Sequence, residues 1–414
     1  MKTAGVIVEY NPFHNGHLYH LQQSKKTTNA DCMVAVMSGF FLQRGEPALV
    51  SKWIRTKMAL LAGVDLVIEL PYAFATQKAE IFANGAISIL EALGVNEVCF
   101  GSESGNIEDF TNTVQVMLEK KDDFDSYIHT FSREGNSFPK SASLAFQMLH
   151  IKENVVDLSL PNNILGYHYV KAIYDQKANI VPKTIIRTGA NYHDEHFSSA
   201  SIASATSIRK ALFTKGQLHE IDSYVPDSTF TELANYKNQF HKFHQWEDYF
   251  HLLKYKVLTS SSSELESIYE MEEGLEHRII SHMKKAKSFQ EFMEGVKTKR
   301  YTWTRLQRLC THILTNTTKP VMVNVLNENN ASYIRLLGMS ETGRSFLQQQ
   351  KKNVTLPIIS KLSSFTNKQL ELDVKAAHTY GMIFDEPMRT EWFQTEFSTP
   401  PIRYNKENRE FIMS

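Results

Sequence analysis

The sequence lacks long apolar runs and has few cysteines. No apolar stretch reaches the roughly 18–20 residues that a membrane-spanning helix needs. Glu9 interrupts the apolar N-terminus too early for a signal peptide. The cysteines Cys32, Cys99 and Cys310 are odd in number, widely spaced and set in apolar surroundings, which indicates neither a disulfide framework nor a zinc site. We therefore expect a cytoplasmic protein with buried, reduced thiols, no membrane contact and no metal held by its side chains.

An excess of charge of one sign is also absent. The chain has 45 Lys and Arg against 45 Asp and Glu, but residues 1–225 carry 20 and 23 of them and residues 226–414 carry 25 and 22. Nucleic-acid binding requires Lys and Arg to neutralise phosphates. The neutral total therefore argues against a protein coated in phosphate-binding charge, and it leaves room for a local basic surface. With 414 residues, 42% of them hydrophobic, the chain can bury more than one core.

Short β-branched runs alternate with amphipathic segments in the first half of the chain. This pattern predicts a Rossmann-like, doubly wound parallel sheet of the α/β class over residues 1–225. The predicted strands are 5–9, 32–37, 66–70, 97–100 and 180–186. The predicted helices between them are 17–27, 52–62, 79–93 and 107–120. A mainly helical insertion is expected over about 124–175, before the fifth strand.

Turn-forming residues at 225–228 indicate a boundary, after which the chain reads as an α-rich C-terminal domain, 226–414. Its predicted helices are 245–258, 264–269, 276–286, 289–297, 304–314 and 367–380. Extended pieces near 321–325, 332–337 and 356–359 are expected to form a small sheet of their own. The serine run at 259–263 is interpreted as a linker, or as a loop that caps the next helix.

A histidine motif directly follows the first predicted strand. The segment reads Tyr10-Asn11-Pro12-Phe13-His14-Asn15-Gly16-His17 and leads into a helix. In an open α/β sheet, ligands bind beyond the carboxyl ends of the strands, where a helix N-terminus offers free N–H groups to phosphate. His14 and His17 can donate hydrogen bonds to phosphate oxygens as charge builds on them, and Gly16 permits close backbone approach. This context favours a nucleotide site over two surface histidines; His20 is as readily a surface residue as a third donor.

A second segment, at 204–209, reads Ser-Ala-Thr-Ser-Ile-Arg and precedes a helix. Ser207 and Arg209 are suited to phosphate at a helix N-terminus, although serine capping explains the segment equally well. Together with His14 and His17, the segment resembles the signatures of the HIGH-type nucleotidyltransferase superfamily. Members of that superfamily activate a substrate by attack on the α-phosphate of a nucleoside triphosphate.

Longer runs narrow the resemblance to the bacterial tRNA(Met) cytidine acetate ligase family, over nearly the whole chain. They are residues 5–17, 38–48, 65–71, 100–103, 160–163 and 333–338. The resemblance implies an enzyme that joins acetate to the α-phosphate of ATP and passes the acetyl group to N4 of the wobble cytidine of elongator tRNA(Met). It also implies the ATP contacts Ile7, Val8, Glu9, Tyr10, Asn11, Pro12, Phe13, His14, Asn15, Gly16, His17, Leu18, Tyr19, His20, Gly101, Asn162 and Arg187.

Three of these contacts also have local explanations. Gly101 closes the fourth strand, where a missing side chain leaves room for ribose or base, although a plain turn glycine also fits. Asn162 stands where a helix begins and is equally suited to be its N-cap. Arg187 ends the fifth strand and suits either a phosphate or a neighbouring acid. Mg²⁺ is expected with ATP, held mainly by phosphates and water.

Basic residues in two places are predicted to contact tRNA. Lys52 and Arg55 lie three apart on a predicted helix at the ligand-bearing edge, where they could face either a phosphate or the RNA acceptor; a solvated basic pair is the structural alternative. The segment 284–308 has eight basic residues against two acids, interleaved with Tyr301 and Trp303 as candidates for stacking on unpaired bases. A solvated helix face with Trp303 in the core is the structural alternative. The predicted contacts here are Lys284, Lys285, Lys287, Lys299, Arg300 and Arg305.

Two other functions remain open at this point. One is a nucleotidyltransferase acting on a small phosphorylated metabolite, which would release pyrophosphate without responding to acetate. The other is a non-catalytic ATP-sensing RNA-binding protein, which would bind ATP without cleaving it. The sequence does not indicate the oligomeric state.

Overall fold

A computed structural model describes residues 1–151, 154–187, 203–272, 274–327 and 329–412. The predicted α/β alternation is confirmed. The strands and helices of the first part are β1 (Thr3–Val8), α1 (Asn15–Thr28), β2 (Cys32–Ser38), α2 (Lys52–Ala62), β3 (Leu66–Leu70), α3 (Tyr72–Ala75), α4 (Ala79–Ala92), β4 (Glu97–Ser102), α5 (Ile107–Glu119), α6 (Lys121–Arg133), α7 (Phe138–Met148), α8 (Pro161–Asp175) and β5 (Val181–Ile186). Then follow α9 (Ala205–Lys215) and a 3₁₀ turn, Leu218–Tyr224.

The second part is mainly helical, as predicted. Its elements are α10 (Asp227–Phe240), α11 (Trp246–Thr259), α12 (Ser262–Glu266), α13 (Leu275–Met283), α14 (Phe289–Val296), α15 (Trp303–Leu314), α16 (Lys319–Val325), β6 (Ile334–Ser340), α17 (Glu341–Gln350), β7 (Ile358–Ile359), the 3₁₀ turn Leu362–Ser364, α18 (Lys368–Gly381), α19 (Met388–Ser398), β8 (Ile402–Asn405) and β9 (Glu410–Ile412). Ser261 caps α12, as the serine run predicted.

The strands within the described residues form one sheet in the order β5-β4-β1-β2-β3-β6-β8-β9, with β7 beside β6. Strands β1 to β5 pair in parallel, and β6 pairs antiparallel with β3. The expectation that the late extended pieces form their own sheet is therefore wrong, because they extend the N-terminal sheet. The predicted boundary at 225 does not separate two sheets. Segment 321–325 is helical rather than extended, since Met322 and Val325 bury one face of α16.

Helices cover both faces of the sheet. Alternate residues of β2 enter different cores: Val34 and Val36 pack on one face, and Met33 and Ala35 on the other. Such a strand reads as a continuous apolar run because both its faces are buried. None of the helices among the described residues is long and apolar enough to cross a membrane. The three cysteines are free and buried, as predicted.

Candidate active site

A cavity lies at the carboxyl edge of the sheet, where β1, β2, β4 and β5 end. Of the predicted ATP contacts, it is lined by Ile7, Val8, Glu9, His14, Gly16, His17, Tyr19, His20, Gly101, Asn162 and Arg187. It is also lined by residues that were not predicted: Gln43, Arg44, Phe82, Phe100, Leu165, Tyr169, Ile185, Ile186 and Ala203. The strand order puts the cavity at β1, where the connections change direction to reach β4. Such a switch point is where open α/β sheets bind ligands.

The histidine motif forms the N-terminus of α1. His14 is the N-cap, and its Nδ1 accepts a hydrogen bond from the backbone N–H of Gly16 over 3.0 Å. The backbone N–H of His14 donates in turn to Nδ1 of His17 over 3.3 Å. The two rings lie 3.8 Å apart between centroids. Since each Nδ1 accepts a hydrogen bond, each neutral ring carries its proton on Nε2.

The cavity keeps its histidines uncharged. Burial, followed by Arg187 and Arg209, lowers the pKa of His14 to about 3. Burial, followed by the neighbouring His14, lowers the pKa of His17 well below its usual value. A hydrogen bond to the Pro12 carbonyl raises this pKa but does not offset the other effects. Burial and Arg187 lower the pKa of His20 to about 4. At neutral pH the site therefore offers neutral ring donors, and its positive charge comes from arginines.

A second group of predicted residues meets on the side of β4 and β5. Nη1 of Arg187 donates to Oδ1 of Asn162 over 2.8 Å. Asn162 is not the N-cap of α8, because Leu160 holds that position; its Nδ2 donates to Glu103 over 2.6 Å. A side chain at Gly101 would bring its Cβ to 3.2 Å from Arg187. The glycine therefore keeps open the space between the strand and the guanidinium group.

Ser207 and Arg209 lie at the start of α9 and do not line the cavity. The N–H of Ser207 donates to Oγ of Ser204 over 3.0 Å, so the capping interpretation of this segment holds. Arg209 donates to the carbonyl of Asn11 over 2.9 Å and pairs with Glu46 over 2.8 Å. In this structure Arg209 fixes the loop that carries the histidines. Its contact with phosphate stays a prediction.

The remaining predicted ATP contacts support the histidine loop from behind. Tyr10 and Phe13 are buried with their rings 4.6 Å apart, and Tyr10 also packs edge-on against His17. Oδ1 of Asn11 accepts from the N–H of Leu49 over 2.6 Å. The other members of this group are Pro12, Asn15 and Leu18. The peptide bond between Asn11 and Pro12 is cis. The side-chain amide of Asn15 donates to the Ser223 carbonyl, and Leu18 packs on the core.

The loop after β2, residues 43–47, was expected at the ligand-bearing edge, but its side chains were not named as contacts. Gln43 and Arg44 line the cavity, and the backbone N–H of Gln43 donates to Oε1 of Glu9 over 2.8 Å. Position along the chain was the available signal, because the carboxyl ends of β1 and β2 meet at one edge. The prediction instead selected Lys52 and Arg55, further along the same connection. Within the described residues, no group of three His, Cys, Asp or Glu is placed to hold a metal ion.

Comparison with known proteins agrees with this geometry. A family model described as HIGH Nucleotidyl Transferase matches residues 1–395. The tRNA(Met) cytidine acetate ligase of Bacillus cytotoxicus is 53% identical over 95% of this chain and 100% of its own, and that of Bacillus licheniformis is 50% identical over 100% of both. The chain belongs to the tRNA(Met) cytidine acetate ligase family. The alternatives of a metabolite nucleotidyltransferase and of a non-catalytic ATP sensor are therefore set aside.

Solved structures of a protein from this family share the overall fold of the chain. Apo Thermotoga maritima TmcAL shares 35% identity and superimposes with a TM-score of 0.91, covering 98% of this chain and 100% of its own. The same protein bound with alpha-thio ATP gives 0.89 at the same identity and coverage. The predicted fold class and the predicted ligase activity are thereby confirmed.

Lys52 and Arg55 are buried and therefore cannot contact tRNA. Lys52 is fully buried, and its ammonium pairs with Glu69 at 2.7 Å and Glu396 at 2.6 Å. Arg55 is also fully buried and donates to backbone carbonyls, among them that of Glu9 over 2.7 Å. The prediction that they contact tRNA is wrong, because both are structural cations beneath the carboxyl edge.

The basic segment of the ligase divides into exposed and paired residues. Lys284, Lys285, Lys287, Lys299 and Arg300 are exposed. Arg305 pairs with Glu272 at 2.6 Å, and Arg300 shares that carboxylate at 3.3 Å.

Tyr301 is not free to stack on an unpaired base, contrary to the prediction for the aromatic residues of the basic segment. The residue is only 9% exposed, and the guanidinium groups of Arg300 and Arg305 lie over its ring. Trp303 is half-buried against the core. The exposed lysines therefore remain the candidates for tRNA, whereas the ring of Tyr301 is already covered and is not available to stack on a base.

Proposed function

We propose that this chain activates acetate with ATP as acetyl-adenylate and transfers the acetyl group to N4 of the wobble cytidine of elongator tRNA(Met), giving N4-acetylcytidine. The observation that carries the proposal is the pair of ring donors, His14 and His17, at the N-terminus of α1. They lie in a chain about half identical, over its full length, to ligases of that name. The proposed place of action is the cytoplasm, where tRNA is found.

In the first step an oxygen of acetate attacks the α-phosphorus of ATP. A new P–O bond forms while the bond to the pyrophosphate oxygen breaks, and pyrophosphate leaves with the electron pair. Acetate is already an anion and needs no base, so the work of the site is to stabilise charge on the phosphate oxygens. We assign that work to Nε2–H of His14 and His17 and to Arg187.

The chain's residues fit a nucleotide held by few specific groups. Gly101, Asn162 and Arg187 form one wall, suited to ribose and base, and the histidines face the phosphates. Mg²⁺ carried by ATP would neutralise phosphate charge. Glu9 is the one carboxylate among the described residues that line the cavity, so the ion would be held mainly by phosphate oxygens and water.

The exposed lysines of the helical part supply the proposed contact with tRNA. Lys284 and Lys285 follow α13, and Lys287 precedes α14. Lys299 is a further exposed cation, and Arg300 and Arg305 contribute charge that is partly compensated by Glu272. Such contacts recognise phosphates and are sensitive to salt.

The test is mass analysis of nucleosides from tRNA incubated with ATP, labelled acetate and the protein. We expect labelled N4-acetylcytidine in elongator tRNA(Met) with the native chain and none when either ATP or acetate is left out. The double variant His14→Ala with His17→Ala should lose the product while still folding. Intact activity in that variant would contradict the assigned mechanism, and no product from the native chain would contradict the proposed function.

A further inference from the structure

Glu9 has one fixed carboxylate oxygen and one oxygen that faces the cavity. Its Oε1 accepts the hydrogen bond from the N–H of Gln43 over 2.8 Å. Among the described residues nothing donates to Oε2, and this atom is not sealed inside the protein. The backbone of Glu9 is held as well, because Arg55 donates to its carbonyl. The carboxylate is therefore held in place with one oxygen available to a ligand.

The position of Glu9 lies between two halves of the cavity. Gly101, Asn162 and Arg187 lie toward β4 and β5, and Gln43 and Arg44 lie on the opposite side, after β2. If base and ribose occupy the first side and the phosphates the N-terminus of α1, as the proposed function assigns them, an acyl group on the α-phosphate would lie near the end of β1. An amine attacking this group would then pass close to Glu9, which lines the cavity there.

The other candidates for a base are less suited. Nδ1 of His14 and Nδ1 of His17 are occupied by backbone N–H donors, and their Nε2 atoms already carry protons. His20 stands on the β4 side, where its Cδ2 lies 3.5 Å from the position of a Cβ at Gly101. A positive Arg187 next to it disfavours protonation of its ring. A carboxylate facing the acyl position is better placed to accept a proton from an attacking amine.

We propose that Glu9 is the general base of the transfer step, a role that rests on the proposed function. Its Oε2 accepts a proton from the N4 amino group as nitrogen attacks the acetyl carbonyl carbon. The N–C bond forms, the bond between the carbonyl carbon and the phosphate oxygen breaks, and AMP leaves with that electron pair. The proton on Glu9 is then lost to water. The first step, in which acetate attacks phosphorus, does not use this base.

The surroundings of Glu9 suit a proton acceptor at neutral pH. Burial raises the pKa of its carboxyl group, and Glu46 raises it further. The N–H of Gln43, Arg44 and Arg209 act in the opposite direction. Arg55 from α2 and Tyr169 from α8 are the other ionisable groups that interact with it. A carboxylate with a raised pKa is a stronger base than one in water.

The experiment separates the two steps by supplying synthetic acetyl-adenylate. Native protein, Glu9→Gln, Glu9→Asp and the exposed control Glu119→Gln are each mixed with acetyl-adenylate and elongator tRNA(Met), and N4-acetylcytidine is followed with time. Acetate-dependent exchange of pyrophosphate into ATP is measured on the same proteins without tRNA. We expect Glu9→Gln to slow transfer by about 10²- to 10⁴-fold and to slow exchange, in which Glu9 serves only as a lining contact, at least about tenfold less than transfer. Glu9→Asp should recover part of the loss, and Glu119→Gln should match native protein.

The pH dependence is a second readout that folding defects would not reproduce. The native transfer rate should fall as the pH drops through the pKa of Glu9, and the residual rate of Glu9→Gln should show no such fall. Transfer at the native rate by Glu9→Gln would overturn the proposal, as would equal losses of transfer and exchange. If native protein makes N4-acetylcytidine and Glu9→Gln makes it equally fast, the base assignment alone fails. Lack of product from native protein would instead count against the proposed function.

Discussion

The hydroxyl of Thr311 donates a hydrogen bond to the carbonyl oxygen of Gly45 over 2.8 Å. The indole of Trp246 donates to the same oxygen over 3.1 Å. Because Gly45 directly follows Arg44, two helices of the C-terminal half hold the loop that brings an arginine into the cavity. The helical half therefore takes part in forming the ATP site as well as carrying the exposed lysines.

Gly45→Ala should disrupt this junction. Gly45 has a φ of +77°, and a Cβ there would lie 2.4 Å from the backbone nitrogen of Arg308. Gly216→Ala is the matched control, since its φ is +69° and nothing lies within 4 Å of the added atom. We expect the control to lose about 1 kcal/mol of unfolding free energy from backbone strain, and Gly45→Ala to lose clearly more together with acetate-dependent pyrophosphate exchange. Chemical denaturation and exchange assays measure both; equal losses in the two variants would contradict the proposed junction.

His14→Asn should separate capping from catalysis. Asparagine keeps an acceptor for the N–H of Gly16, so the helix end stays capped, but it removes the ring donor. We expect a thermal midpoint close to native and a fall of about 10²–10³ in the rate of exchange. His14→Ala should show the same loss of rate with lower stability. Native exchange rates in His14→Asn would show that the ring of His14 is not a phosphate donor.

The sequence predicted the first half of the fold well because β-branched runs and amphipathic helices are local patterns. Residues 52–62 and 66–70 were predicted with the observed bounds. The pairing of β6 with β3 was not predictable, because it joins residues about 270 positions apart with no signal in either segment. Helix α16 was missed because its Val residues favour strands, whereas tertiary burial of Met322 selects a helix.

The residues of the cavity were likewise predictable where local sequence determines their position, and unpredictable where distant contacts do. The histidine motif and Gly101 were recognisable from their place after predicted strands, and they do line the cavity. The burial of Lys52 and Arg55 could not be predicted from the sequence. The two residues look like an exposed basic pair, because no nearby residue indicates that Glu396 contacts Lys52. Arg44 was expected at this edge but was not selected as a contact, since the direction of its side chain depends on contacts that Gly45 makes with distant helices.

Lys52→Met should be strongly destabilising. It leaves the carboxylates of Glu69 and Glu396 buried without their shared cation, and breaking a buried ion pair in this way costs about 3–5 kcal/mol. The double variant Lys52→Met with Glu396→Gln should recover part of that loss because one buried carboxylate is removed. Urea denaturation measures both free energies. A loss below about 1 kcal/mol in the single variant, together with weaker tRNA binding, would restore the original surface interpretation.

Reversing Lys284, Lys285 and Lys287 to Glu should weaken tRNA binding and reduce its dependence on salt. Each phosphate contact that is lost lowers the slope of log affinity against log salt by somewhat less than one. The control reverses three other exposed lysines, Lys25, Lys26 and Lys121, for an equal change in net charge. Filter binding at several salt concentrations gives the slope, and acetate-dependent exchange should be native in both variants. Unchanged tRNA affinity would remove this surface from the interface.

Stability should fall as the pH drops below about 6.5. Burial, then Arg308, lowers the pKa of His312 to about 3 in the folded protein. An unfolded histidine titrates near 6.5. Between these values the unfolded chain binds protons that the folded chain does not, so stability decreases as the pH decreases. His312→Gln should show a shallower decline between about pH 6.5 and 4 than the exposed control His129→Gln. Identical slopes in denaturation midpoints would contradict this.

The antiparallel pairing of β6 with β3 affects how the chain folds while it is being synthesised. The outer edge of β3 and the ammonium of Lys52 stay uncovered until β6 and Glu396 have left the ribosome. Until then a nascent chain presents an open strand edge, the feature that recruits chaperones or promotes aggregation. A prematurely terminated polypeptide would accordingly be a substrate for proteolysis before it could become a partial enzyme that wastes ATP.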